Sequence, residues 1–419
     1  MKKKCKHIDI TDWKTVQPWV TDCVMRHKKR YDFKKMLLEH GLTKQEYSYA
    51  ISNQDYKIFD KAIIEIAKDA CERIKNRKLK LPPVVIGNKT DHTSGKERQI
   101  GKEVAMQQVL DHIAVHSCDE IFHSRMVKQQ MSSIAGRGQI KGVRLIRKYI
   151  QKDNDAIRYA HEHERFARYS SKCKYHVKLD IKKCYPSAKL EIFMKILEHD
   201  CGNQDIIWLW RTLLSSHRVD EYQGFMIGAL PSQWACQVML SFIYRKAMEL
   251  YSIRRGKKVK KVSHMVMFMD DMLLMGSNRK NLLSAVKELI KYTKQELGFD
   301  IKPNYEIKNL DLEPIDMMGF TVFRNGKIRM RARNFIHSRR IMLRIVATGR
   351  ATLSQAKRLL SYKGFWKYSD TLVTMKKYKA RSIFDKCAKI ISFHDKEVNN
   401  AAHNRIFGGA GCDAMLLSA

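Results

Sequence analysis

Over the first 80 residues apolar positions recur at three- and four-residue spacing, as in Met36-Leu37 and then Ile63, Ile64, Ile66, Ala67 and Ile74. That period predicts amphipathic helices. Pro82-Pro83 ends the block. Val84 to Ile86 predicts a short strand, and Asn88 to Lys96, with its Gly, Asp, Thr and Ser, a turn. A helix is expected over about Lys102 to Cys118. A basic loop punctuated by glycine, Ser133 to Gln139, then opens a helix at about Lys141 to Tyr149. From Tyr175 the period changes to two: Tyr175, Val177 and Leu179 alternate with His176, Lys178 and Asp180, predicting a strand with one buried face. Helices are expected at about 190–216 and 233–251. Val262 to Met269 predicts a further strand that ends in Asp270-Asp271 and resumes as Met272 to Met275. Glu288 to Leu297 closes a helix, with Gly298 as its stop signal. Met317 to Phe323 and Lys327 to Met330 predict a strand pair turning at Asn325-Gly326, and residues 334–419 read as helical and basic.

Composition narrows the class. The chain has 419 residues, 44% of them hydrophobic, with 7 Pro and 20 Gly, which excludes a collagen-like or a disordered chain. Lys and Arg number 80 against 43 Asp and Glu, a formal net charge of +37. Such self-repulsion has no folding benefit and points to a polyanion, nucleic acid before anionic membrane. The ten cysteines include no C-x-x-C pair, so they are read as reduced thiols of a cytoplasmic protein rather than zinc ligands or a disulfide frame. Tyr222 to Tyr244 carries no charge and is long enough to cross a bilayer, but Pro231, Gln223, Gln233 and Gln237 within it predict a buried loop feeding a buried helix.

Some residues with ligand chemistry read more plainly as structure. His112 and His116 stand four apart on an expected helix, but with no third ligand nearby in the sequence they are taken as core or surface histidines. His161-Glu162-His163 is read as a solvated face, the run at 257–261 as a charged hairpin loop, and Tyr362, Phe365, Trp366 and Tyr368 as packing between helices.

Asp270-Asp271 is different. Two adjacent carboxylates between Met-Val-Met-Phe-Met and Met-Leu-Leu-Met repel each other and resist desolvation, so a cation, ordinarily magnesium, is expected to offset them. Asp180 also ends an alternating strand. Three carboxylates from two strands suit the two-ion clamp of in-line phosphoryl transfer.

On these residues the chain resembles the reverse transcriptases. Val177 to Tyr185, with Asp180, is similar to their motif A, and Phe268-Met269-Asp270-Asp271 to motif C. Ile227 to Gln233 falls between them as motif B should. Gly298 to Lys302 resembles motif D, and Met318-Gly319-Phe320 the primer-grip motif E. Lys96 to Gly101 looks like a fingers motif, and Gly136-Arg137-Gly138-Gln139 the next fingers block. Where the common motif B reads Gln-Gly and Ser-Pro, this chain has Ile227-Gly228 and Ser232-Gln233, a form similar to diversity-generating retroelement and defence-associated bacterial enzymes.

The resemblance implies an α+β right-hand polymerase: fingers and an antiparallel palm sheet over 81–333, a helical basic thumb over 334–419, and a helical extension over 1–80. It implies RNA-directed DNA polymerisation, extending a 3′-hydroxyl with deoxynucleotides on an RNA template, with two Mg2+ ions or Mn2+ in their place. Asp180, Asp270 and Asp271 would be catalytic and, with the Ile181 carbonyl, would hold metal. Lys96, Arg98, Tyr185, Ile227, Gly228, Gln233 and Lys302 would meet the nucleotide. Met318, Gly319 and Phe320 would grip the primer, and Arg137 of the fingers block would contact nucleic acid; the basic run that follows the primer-grip hairpin, with Arg329, Arg331 and Arg333, is itself read as nucleic-acid contact rather than solvated surface. The implied partners are an RNA, which a dedicated non-coding RNA would satisfy, a DNA primer or product and dNTPs, with no membrane; a homo-oligomer or accessory protein stays open. Anti-phage defence and retroelement diversification are the expected roles. Template-independent or protein-primed synthesis, and a non-catalytic maturase-like RNA scaffold, are the alternatives.

Overall fold

The computed structural model describes residues 3–82, 84–90, 97–163, 171–216 and 224–407. The chain opens with helices α1 (Trp13–His27), α2 (Tyr31–Glu39), α3 (Lys44–Asn53) and α4 (Asp60–Lys75). The Asp12 side chain caps α1, and Thr43 with Glu46 forms a capping box on α3, so donors left open at the helix starts are satisfied. The periodic residues Ile63, Ile66, Ala67, Ala70 and Ile74 are buried along one face of α4, which packs on α1.

Strands β1 (Val85–Thr90) and β2 (Glu97–Lys102) pair antiparallel, so Asn88 to Thr90 belong to a strand and not to the expected turn. Helices α5 (Ala105–His116), α6 (Asp119–Arg125) and α7 (Gln139–Glu162) follow; α7 runs well past the expected Tyr149 because its apolar residues Val143, Ile146 and Ile150 keep one buried face. Next come β3 (Tyr175–Asp180), the single turn α8 (Cys184–Ser187), and α9 (Leu190–Asp200) and α10 (Gln204–Ser216), which break what looked like one helical stretch. After α11 (Leu230–Glu249), strands β4 (Tyr251–Arg254) and β5 (Lys257–Lys260) pair, so the lysine run is a strand and the turn is Arg255-Gly256. No helix among the described residues is long and apolar enough to cross a membrane.

Strands β6 (His264–Phe268) and β7 (Asp271–Gly276), then α12 (Arg279–Glu296) and β8 (Ile307–Asn309), complete a four-stranded antiparallel sheet of order β6-β7-β3-β8. Both faces of this sheet are covered. Met265, Met267, Met272 and Leu274 join one apolar cluster, whereas Val266, Leu273 and Met275 join another. This accounts for the unbroken apolar runs on either side of Asp270-Asp271. It also buries His176, on the face of β3 expected to be wet, with Nε2 3.0 Å from the Glu313 carbonyl.

The first cluster holds the apolar residues of α1 to α4 together with those of α5, α9, α10, α11 and α12. The second holds α7 and a three-stranded sheet of β9 (Ile315–Met317), β10 (Phe320–Val322) and β11 (Ile328–Met330). Here the expected single strand from Met317 to Phe323 is split by a turn at Met318-Gly319, while Asn325-Gly326 turns as expected. Helices α13 (Ala332–Thr348), α14 (Leu353–Ser361), α15 (Lys363–Tyr368), α16 (Leu372–Lys377) and α17 (Ala380–Phe407) end the described chain. Of these, α13, α14, α15 and α17 gather a third cluster around the fully buried Trp366, whose indole donates to Ser338 Oγ at 3.0 Å. The aromatic stretch at 362–368 is thus packing. His161, Glu162 and His163 are exposed, and the nine described cysteines are buried and unbridged.

Candidate active site

Register brings the acidic residues together. Asp180, the last residue of β3, lies directly opposite Asp271, the first of β7. Phe268 pairs with the same Asp271, so Met269-Asp270 is a two-residue turn between β6 and β7 at the sheet end. Met269 adopts φ +52°, a left-handed conformation uncommon for a non-glycine residue. Gln237 of α11 braces it, donating from Nε2 to Met269 Sδ at 2.8 Å, and Gln237 Oε1 in turn accepts from Gln130 Nε2 at 2.7 Å. Ser133 Oγ lies 3.6 Å from the same sulfur and accepts from Gln233 Nε2. Residues 129–131 add to β6 by exchanging backbone hydrogen bonds with Met267. This polar network, buried at its Gln130–Gln237 end, fixes the turn that carries Asp270.

Burial raises the pKa of Asp270 above the usual carboxylate range, its own backbone hydrogen bond opposes the rise, and the charges of Asp180 and Asp271 add to it. Burial likewise raises Asp271, with Lys178 and Arg331 pulling it back. Lys302 Nζ donates to Asp180 Oδ2 at 2.6 Å, and its backbone N–H donates to the Asp180 carbonyl at 2.8 Å. Asp180 Oδ1 is buried with no hydrogen-bond partner. An orphaned carboxylate oxygen beside two further carboxylates is a hard-oxygen donor set that fits a divalent cation such as Mg2+. Asp180, Asp270, Asp271 and the adjoining Ile181 carbonyl are the groups that would hold it.

Tyr185 stands half-buried in α8, its hydroxyl pKa raised by burial and by Cys236, Cys184 and Asp270. Its carbonyl accepts from Phe225 N at 2.8 Å, and a Cβ on Gly224 would come 2.1 Å from the Pro186 oxygen. Gly224 therefore permits the close approach of the two segments, a role that nothing in the sequence marked. The Ile227 carbonyl accepts from Gly101 N at 2.8 Å, and Gly228, at φ +115°, has room for no side chain against the Gly101 backbone. Arg98 is exposed on β2, whereas Lys96 lies outside the described residues.

Most of the other expected contact residues have partners within the fold. Arg137 donates to the Val127 and Gln130 carbonyls at 2.5 and 3.0 Å, so it clamps its own loop. Met318 and Phe320 are buried, and the Gly319 turn packs on Phe365. Arg331 pairs with Asp316 at 2.7 Å, the Arg329 guanidinium lies 5.0 Å from the Phe323 ring centre, and Arg333 is exposed. A cleft of about 650 Å³ runs from Gly228 and Gln233 past Lys102 to Arg26, His27 and Arg30 of the first helices. A recess of about 530 Å³ shares those three residues and adds Lys28 and Lys29. No motif or spacing in the first 80 residues marks these N-terminal helices as walls of the site.

The profile of the family described as reverse transcriptase (RNA-dependent DNA polymerase) matches residues 113–322, half of the chain and the part that holds all three aspartates. The chain belongs to this family and is an RNA-directed DNA polymerase. Its folded core is also similar to solved telomerases. Apo telomerase from Candida tropicalis truncated from the C-terminal domain is 13% identical, with 79% of this chain and 84% of that chain covered at a TM-score of 0.41. The untruncated apo telomerase from Candida tropicalis is 11% identical, covering 95% and 82% at 0.42. Telomerase from Candida albicans in complex with a TWJ fragment of telomeric RNA is 10% identical, covering 93% and 79% at 0.42. No curated protein matches.

Proposed function

We propose that this chain extends a 3′-hydroxyl with deoxynucleotides on an RNA template, with Asp180, Asp270 and Asp271 as its catalytic centre. The observation that carries the proposal is the register of Asp180 against Asp271 beside the Asp270 turn, together with the orphaned Asp180 Oδ1. Two bound Mg2+ ions would supply the positive charge that offsets the phosphates and activates the hydroxyl. The protein's own part is to hold the three carboxylates at one sheet end, with the Asp270 turn braced by the Gln130–Gln237–Met269 network. Lys302, bonded to Asp180, is the cation at hand to donate a proton to the leaving pyrophosphate. Tyr185 would lie under the nucleotide sugar, and Gly228 would let backbone approach the nascent base pair. The basic cleft from Gly228 to Arg30 supports entry of a single-stranded template.

The Ile227-Gly228 and Ser232-Gln233 form of motif B supports a role in retroelement diversification or anti-phage defence. The test is deoxynucleotide incorporation by the protein with its co-purified RNA and Mg2+, beside Asp270→Ala/Asp271→Ala, followed by sequencing of the product. DNA complementary to the bound RNA, absent in the variant, supports the proposal. DNA without complementarity moves the reading to untemplated synthesis. Tight RNA binding with no variant-sensitive product moves it to a scaffold.

A further inference from the structure

We propose that Asp22, His112 and His116 form a second metal site, suited to Zn2+, that clamps the N-terminal helices onto the polymerase core. The fold supplies the ligand that the sequence lacked. Asp22 on α1 comes to the face of α5 that carries His112 and His116, and one ligand atom from each residue lies within 4.8 Å of the others. His112 and His116 are one helical turn apart, with ring centres 5.6 Å apart. His112 Nδ1 points toward Asp22 Oδ2 at 3.7 Å, which is beyond hydrogen-bond reach.

Two features argue for an ion over a plain polar contact. The His112 side chain is 9% exposed, and its Nδ1 is buried with no hydrogen-bond partner. Such a nitrogen is costly unless something satisfies it. Ligand atoms around a tetrahedral zinc lie about 3.3 Å apart, so a bound ion would draw the Asp22–His112 pair in from 3.7 Å and the three ligand atoms together from within 4.8 Å. In addition, His116 Nδ1 stands 3.4 Å from Asp119 Oδ2. A carboxylate on one imidazole nitrogen fixes the tautomer and frees the other nitrogen for metal. Two imidazoles and one carboxylate make a borderline donor set that suits zinc, unlike the all-oxygen set at Asp180 and Asp270. Arg26 Nε also bonds the Asp22 carboxylate, at 2.8 Å, but on a side chain 65% exposed that can swing clear.

The position gives the ion a purpose. It would tie α1 to α5, and His112 and Arg26 both line the basic cleft. The N-terminal wall of that cleft would then be fixed by the metal.

The test uses the full chain, dialysed against Zn2+ and then metal-free buffer, with bound metal measured by mass spectrometry. Cobalt substitution supplies a visible spectrum, since tetrahedral Co2+ absorbs far more strongly than octahedral. Wild type and Asp270→Asn should each retain equimolar zinc and give the intense cobalt bands. His116→Gln, at a side chain 30% exposed, should lose both while keeping its circular dichroism. Asp119→Asn, which removes no ligand, should weaken zinc affinity about 10- to 100-fold. Zinc should raise the melting temperature of wild type and not of His116→Gln. Retention of zinc by His116→Gln, or wild type that holds no zinc and gains no stability from it, overturns the proposal. None of these readouts depends on DNA synthesis, so failure here is distinct from failure of the polymerase reading.

Discussion

Gly319→Ala tests how the β9–β10 turn is seated on the C-terminal helices. Gly319 has φ +80°, and an added Cβ would lie 2.5 Å from Phe365 Cε1 and 3.1 Å from Asn334 Nδ2. Phe365 cannot readily retreat, because its ring centre is 5.0 Å from that of buried Phe320. The left-handed conformation alone costs an L-residue about 1–2 kcal/mol. Forcing a methyl into a packed site adds about 1–3 kcal/mol, so the sum is about 2–5 kcal/mol. Gly349 is the matched control: it follows α13 at φ +63° with nothing within 4 Å of an added Cβ. Gly349→Ala should therefore cost the backbone component alone, about 1–2 kcal/mol. Urea unfolding followed by tryptophan fluorescence measures both, and primer extension by Gly319→Ala should yield shorter products. Adding Phe365→Leu to Gly319→Ala should recover most of the steric component, a coupling of about 1 kcal/mol or more in a double-mutant cycle. If Gly319→Ala costs no more than Gly349→Ala, or Phe365→Leu brings no relief, the turn does not rest on α15 and the reasoning fails.

Because burial and neighbouring carboxylates raise the pKa values of Asp270 and Asp271 on folding, their ionised forms oppose folding. That cost is absent below the unfolded carboxylate pKa and complete once pH has risen past the raised values. In chelator, Asp270→Asn/Asp271→Asn should melt higher than wild type at pH 8, with the gap closing as pH falls through the raised pKa values; a pH-independent gap contradicts this. Ile227→Gln, which leaves the backbone bond from Gly101 in place, should lower the error frequency of sequenced products, and equal frequencies reject the link to fidelity. Lys29→Ala and Lys102→Ala, on the walls of the basic cleft and its recess, should each weaken single-stranded RNA binding and flatten log K against log salt by about 0.7. An unchanged slope places the RNA elsewhere.

The acidic centre was legible because its physics is local. Carboxylates ending alternating or apolar strands have few structural excuses, and Asp180, Asp270 and Asp271 do meet at one sheet end. The Asn325-Gly326 turn was legible for the same reason, since a backbone need is met by the residues at hand. What escaped was long-range. His176 looked wet until a second layer covered its face of β3. Gln237 served in the sequence only to spoil a membrane span, yet it braces a turn 32 residues away. Asp22 lies 90 residues before His112, a separation that no local spacing rule spans. The lysine strand β5 was hidden because a two-stranded ribbon facing water carries almost no apolar alternation.

The central claim is tested most directly by single-nucleotide incorporation on a defined RNA template with an annealed DNA primer and Mg2+. One dNTP is supplied at a time, opposite each of the four template bases. The account predicts extension by the complementary deoxynucleotide alone at each base, abolished by Asp180→Ala and by Asp270→Ala. Extension that ignores the template base, or that survives loss of either aspartate, contradicts it.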